Sequence, residues 1–202
     1  MSSFKERPIL FSAPMVRAIL EGRKTMTRRV IPEALIDKYY DYDDWCNSVM
    51  PSDVSCTREY EKQFFGNRCK YGKAGDRLWV RETWARYNIE AHRHDIAYKA
   101  TVPSDWPKEG RWRPSIHMPR WASRINLEIT GVRVERLNDI SPFDCHQEGA
   151  ASGEVRWNGN TPVPVGSGVK DNFRNLWESI NGEGSWQANP FVWVIEFKRI
   201  EK

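Results

Sequence analysis

The chain is short of the features that mark several protein classes. No apolar run approaches the roughly 18 residues needed to cross a membrane, so no spanning helix is expected. The N-terminal MSSFKERPILFSAP has no apolar h-region, so no signal peptide is expected either. Only four cysteines occur among 202 residues, Cys46, Cys56, Cys69 and Cys145. They form no dense disulfide framework, and a reducing, cytoplasmic setting is the default expectation. Cys46, Cys56 and Cys69 with His92 and His94 lack a C-x-x-C pair, which leaves them poorly spaced for structural zinc. No metal site is therefore expected. Internal repeats are absent, and the net charge of +4 is too small to mark a nucleic-acid binder by itself.

What is present describes a globular protein. Apolar residues make up 40% and charged residues 29%, with a mean hydropathy of -0.70 and a pI near 8.9. The length suits one domain over residues 1–202, with insertions at about 31–71, 86–120 and 151–170. Ten tryptophans are the compositional excess. Such rings suit a core, a partner surface or a base-stacking pocket.

Along the chain, PILFS (8–12) reads as a strand. Ser12 and Pro14 then open a helix carrying Val16, Ile19 and Leu20, which Gly22 ends. Thr25 to Val30 is a strand, so EGRKTMTRR straddles a helix-to-strand junction. Residues 32–71 show no clear period. Lys73-Ala74-Gly75-Asp76 is a turn before the strand RLWVRETW, and Asp76 is expected to bond local backbone amides. RINLEI and VRVERL give two further strands, broken at Gly131. Ser141-Pro142-Phe143-Asp144 is a capped helix start that Gly149 closes. Asp171 caps a helix with the stripe Phe173, Leu176, Trp177 and Ile180, and PFVWVIEFKRI is a closing strand. This order predicts an α+β fold, a small mostly antiparallel β-barrel with short decorating helices.

The blocks ILEGRKTMTRRV, GDRLWVRETW, DCHQEGA and VWVIEFKRI together resemble the ASCH domain family, in the long form common in phages and prophages. The resemblance covers both ends of the chain and not the insertions. It implies a PUA-like barrel and kinship with bacterial amidohydrolases that deacylate N4-acetylcytidine. Their lysine, threonine and glutamate fall on Lys24, Thr27 and Glu148. The family also includes RNA-binding domains and a reported ribonuclease. An RNA- or modified-base-binding module and a metal-dependent ribonuclease are thus the alternatives, with a nucleoside or RNA-derived substrate as the expected partner. The chain is about twice as long as the small amidohydrolases, so its insertions bear on the pocket.

The three residue types make chemical sense together. A threonine hydroxyl is a weak nucleophile until a base takes its proton, and a desolvated lysine can be that base. A carboxylate can orient the lysine or relay the proton. On an alternating strand Lys24 and Thr27 would face opposite sides, so Lys24 must precede the strand proper. Thr25 and Arg29 share the parity of Thr27 and are candidates for binding; Arg28 is expected to face solvent. Further candidates for lining the pocket are Glu82 and, from the Trp/Arg segment, Ser115, His117, Arg120 and Ser123. Trp112 and Trp121 are read there either as base-stacking rings or as packing on the barrel. Cys145 and His146 are adjacent on a helix and so point apart, which argues against a Cys-His nucleophile.

Overall fold

The computed structural model describes residues 4–39, 58–90, 93–150, 155–158, 161–164 and 168–201. Its first strand, β1, runs Glu6–Leu10 and leads into α1, Ala13–Leu20. Ser12 is the N-cap, and Pro14 occupies the first turn, where its missing N–H costs nothing. Val16 and Ile19 bury one face of α1. The helix ends at Gly22, whose φ of +75° is the left-handed conformation that favours glycine. Beyond it the Arg23 and Lys24 N–H groups both donate to the Ala18 carbonyl, at 2.9 and 3.0 Å. The chain is thereby folded back before β2, Met26–Val30, begins.

The segment expected to be irregular holds two helices among its described residues: α2 over 33–39 and α3, Arg58–Asn67. Phe64 and Phe65 of α3 are buried, and the Trp193 indole N–H donates to the Phe65 carbonyl at 2.8 Å. The aperiodic sequence hid α3, which is anchored by these rings rather than by a regular stripe. Next come β3, Arg77–Arg81, and a hairpin of β4, Trp84–Glu90, and β5, Arg93–Tyr98. Strand β6, Asn126–Arg136, is continuous where a break at Gly131 was expected. The register shifts between Ile129 and Gly131, so the glycine marks a bulge. A Cβ at Gly131 would approach Glu196 Oε2 to 2.9 Å. Then follow α4, Pro142–Gln147, a second hairpin of β7, Val155–Asn158, and β8, Thr161–Pro164, α5, Val169–Asn181, and β9, Phe191–Ile200. Helix α5 starts two residues before Asp171, from Gly168, so Asp171 lies inside its first turn.

The protein is α+β, built on a mixed five-stranded sheet of order β1-β3-β6-β9-β2. Only β1 and β3 pair in parallel; the other three ladders are antiparallel. The expected closed barrel is not formed, because β1 and β2 stay at opposite edges of the sheet. What links them is a side chain: Arg29 Nη2 of β2 donates to the Leu10 carbonyl of β1 at 2.7 Å. One face of the sheet packs Ile9, Leu78, Leu127, Ile129 and Ile195 against α1 and α3. The other packs Met26, Val192 and Val194 against Leu137, α4 and α5. Burial of each such side chain contributes about 1.5–3 kcal/mol. Among the described residues no helix is long and apolar enough to cross a membrane.

Candidate active site

The site assembles where the α1–β2 junction meets the C-terminus of α4. Helix α4 begins at Ser141, whose hydroxyl accepts from the Asp144 N–H at 3.0 Å. Asp144 and Glu148 stand four residues apart, and therefore on one side of the helix. At its end Gly149 takes φ +78°; a Cβ there would sit 2.9 Å from Ala18 Cβ and 3.4 Å from Lys24 Cβ. The glycine thus lets α4 close onto α1 and the lysine. The Thr25 N–H completes the joint by donating to the Gln147 carbonyl at 2.9 Å.

Lys24 precedes β2, as the parity argument requires, and its side chain has no solvent exposure. Nζ donates to Glu148 Oε2, the Glu148 carbonyl and the Met26 carbonyl, each at 2.8 Å. Three acceptors match the three protons of an ammonium. Burial nonetheless holds the Lys24 pKa below its ordinary value, outweighing the opposing pull of the Glu148 carboxylate. The cation is therefore fully bonded yet easier to deprotonate than a surface lysine.

Arg28 overturns the expectation of a solvated charge. It does face the side of β2 opposite Thr27, but on that side α4 and the Glu135 side chain of β6 meet it, and its side chain is fully buried. Nη2 donates to Asp144 Oδ2 at 2.6 Å and to Glu135 Oε2 at 2.9 Å, and Nη1 to Glu148 Oε1 at 3.4 Å. Arg133 extends the network to Glu135, Asp144 and Glu196. Each oxygen of the Glu148 carboxylate is thus held by a different cation.

Over the outer edge of β2 lies a cavity of about 220 Å³. Thr27, Arg28, Arg29, Val30 and Glu148 line one side of it; Tyr71 and the α5 residues Phe173, Leu176 and Trp177 stand around it. Among the described residues no hydrogen bond engages the Thr27 hydroxyl. Lys24 itself does not line this cavity; it is bonded to Glu148, which does, and no hydrogen bond joins it to Thr27. Arg29 is placed beside the Phe11 and Tyr71 rings, at 5.3 and 6.0 Å from their centroids.

The remaining candidates lie elsewhere. Thr25 borders a separate, more open groove with Arg133, Asp144 and Glu196. Glu82 is buried in a two-pronged ion pair with Arg124, at 2.8 and 3.0 Å, and Ser123 donates to the Val80 carbonyl at 2.8 Å. Both satisfy the interior around β3 and do not line the cavity. Ser115, His117 and Arg120 sit on two 3-10 turns outside it, with Arg120 bonded to Glu6 and Asn126. Trp112 stacks on Trp106 at 4.2 Å, and Trp121 meets the edge of Trp84 at 5.7 Å. The Trp/Arg segment forms its own surface, because its rings and guanidiniums already partner one another.

Cys69 and Cys145 are buried and free, and burial pushes the Cys145 thiol up to about 11, away from thiolate chemistry. Cys46, Cys56 and His92 lie outside the described residues. Among the described residues no group of three or more metal-ligating side chains converges. Comparison with protein families, with curated proteins and with solved structures finds no match.

Proposed function

We propose that the chain is an amidohydrolase of the ASCH, PUA-like kind that removes an acyl group from the N4 nitrogen of a cytosine nucleoside. The observation that carries this reading is the sealed Lys24–Glu148 pair, 2.8 Å apart, whose carboxylate residue shares a cavity with Thr27. A buried ion pair is an expensive feature to build for stability alone. At the border of a cavity that contains a hydroxyl, it is a proton-transfer device.

The steps balance. Lys24 passes one ammonium proton to Glu148, a transfer that the burial of Lys24 favours. The Lys24 amine swings from the Met26 carbonyl and takes the Thr27 hydroxyl proton as that oxygen attacks the acyl carbonyl. Catalytic hydrogen bonds of this kind commonly tighten only in the substrate complex. The C–N4 bond breaks while Glu148 gives its proton to the departing amine, leaving the acyl group as an ester on Thr27. Water then attacks the ester, Glu148 takes the water proton, and Lys24 returns its proton to the Thr27 oxygen. Arg28 holds the other oxygen of Glu148 throughout and acts as a positioning residue. No cofactor enters the scheme.

Incubation with N4-acetylcytidine, followed for cytidine and acetate, tests the reading. Turnover that survives Thr27→Ser and disappears in Thr27→Val is the expected result. A correctly folded wild-type protein that releases no cytidine would sink the proposal.

A further inference from the structure

Among the described residues, strand β2 is the last strand of the sheet and pairs only with β9. The Phe197 N–H donates to the Thr25 carbonyl at 2.8 Å, and the Ile31 N–H donates to the Phe191 carbonyl at 3.0 Å. Both bonds belong to the register that sets Thr27 opposite Ile195 and Arg29 opposite Trp193. Hydrogen-bonded and non-bonded pairs alternate along an antiparallel ladder. The odd-numbered residues therefore direct their main-chain groups at β9, and Met26, Arg28 and Val30 direct theirs outward. The Met26 carbonyl is taken by Lys24. Among the described residues no bond engages the Arg28 N–H or C=O.

An open strand edge is ordinarily paired, blunted or covered, because its amides seek partners. This edge instead borders the 220 Å³ cavity, with Trp177 and Leu176 of α5 around it. A cavity of about 150 Å³ admits a benzene ring. The space over β2 thus suits one substituted six-membered ring and excludes a stacked pair of bases.

We infer that the main chain of Arg28 reads the base. Its N–H donates to a ring nitrogen, and its C=O accepts from the exocyclic N–H beside that nitrogen. A 4-aminopyrimidine of the cytosine type presents this order, N3 as acceptor and N4–H as donor. A uracil held in the same place presents the reverse, with N3–H as donor and O4 as acceptor. The inference rests on the hydrolase reading in one respect: that reading sets the substituent on N4 against Thr27. It goes further in assigning the choice of base to the backbone, a recognition that no substitution at position 28 other than proline removes directly.

Amide NMR of the ¹⁵N-labelled wild-type protein with cytidine, uridine and N4,N4-dimethylcytidine tests this, since none of the three carries an acyl group to hydrolyse. The expected result is a saturable downfield shift of the Arg28 amide with cytidine. Uridine and the dimethyl compound, which lack the required order or the N–H, bind about tenfold or more weakly. Equal affinity for uridine, an Arg28 amide unmoved at saturation, or no saturable cytidine binding would each overturn it. The two proposals fail separately: N4-acetylcytidine turnover with an unmoved Arg28 amide removes the edge recognition alone. Selective cytidine binding without turnover removes the hydrolase alone.

Discussion

Two arginine-rich regions of this protein use the same residue types to opposite ends. At β2 and α4, Lys24 and Arg28 are sealed from solvent, each held by carboxylates of distant chain segments. Across residues 77–124 the arginines lie over rings: Arg113 on Trp84, Arg120 on Trp79 and Arg86 on the half-exposed Trp121, at 5.4, 5.9 and 4.5 Å. That segment holds ten basic and five acidic residues, and so more than the whole chain's excess of four. It also holds five of the ten tryptophans. Composition therefore points to the second region, whereas geometry points to the first. A net charge marks where cations are left over; the buried network of β2 and α4 is where they are matched.

Breaking the matched pair should have the largest effect. Glu148→Ala strands the Lys24 ammonium in the interior, and urea unfolding should show a loss of about 3–5 kcal/mol. Replacing both partners, Lys24→Met with Glu148→Leu, should recover most of that stability while abolishing N4-acetylcytidine turnover. A double variant as unstable as the single one would mean that the pair itself contributes net stability, against its assignment to chemistry.

The same pair predicts a pH dependence absent from the other region. In the unfolded chain Lys24 keeps its proton up to the ordinary value of 10.5, and in the folded chain it loses it at lower pH. Between those two pH values the unfolded state binds more protons, so stability rises with pH there. The slope contributed by one proton is at most about 1.4 kcal/mol per pH unit. The unfolding free energy of the wild type, less that of the Lys24→Met/Glu148→Leu variant, should climb as pH approaches 10.5. A flat or falling difference would refute the lowered pKa.

Glu82 sharpens the contrast, since it too is buried in an ion pair but borders no cavity that holds Thr27. Its partner Arg124 is partly exposed, so Arg124→Ala should lose about 1–3 kcal/mol as the carboxylate is left unpaired. Turnover per folded molecule should not change. A selective loss of kcat at unaltered stability would return Glu82 to the site.

How much of this was legible in the sequence follows from the range of the interactions. Helix α1, its glycine stop, the capped start of α4 and the strands β2 and β9 are local patterns, and they lie within two or so residues of where the sequence puts them; the expected strand RLWVRETW instead ends as β3 at Arg81, and Trp84 opens β4. Lys24 and Glu148 were named by family resemblance, and Thr27 faces the side that parity assigned. Helix α3 was hidden because its anchor is Trp193, 128 residues away. Parity tells which face Arg28 takes, not that α4 and Glu135 cover that face. The barrel failed for a related reason: strand count and order say nothing of whether the two edge strands meet. Glu82, Ser123 and Arg120 were drawn toward the site by residue type, whereas their partners are local structural ones.

The smallest expected effects lie on the Trp/Arg surface, and they decide what that surface is for. Arg120 bonds Glu6 and Asn126 with 40% of its side chain exposed, and exposed ion pairs contribute about 0–1 kcal/mol. Trp121 is 54% exposed, so its ring is largely unburied already. Arg120→Ala and Trp121→Ala should therefore each shift stability by less than about 1 kcal/mol, read from thermal unfolding. Turnover of the free nucleoside should be unchanged, because neither residue reaches the cavity over β2. A substrate carried in single-stranded RNA provides the discriminating case. If the two variants lower kcat/KM for an acetylated oligonucleotide while leaving the nucleoside untouched, the surface holds the strand and the cavity holds the base. If they affect both substrates equally, the surface and the site are coupled through the fold, and the division between matched and surplus charge does not hold.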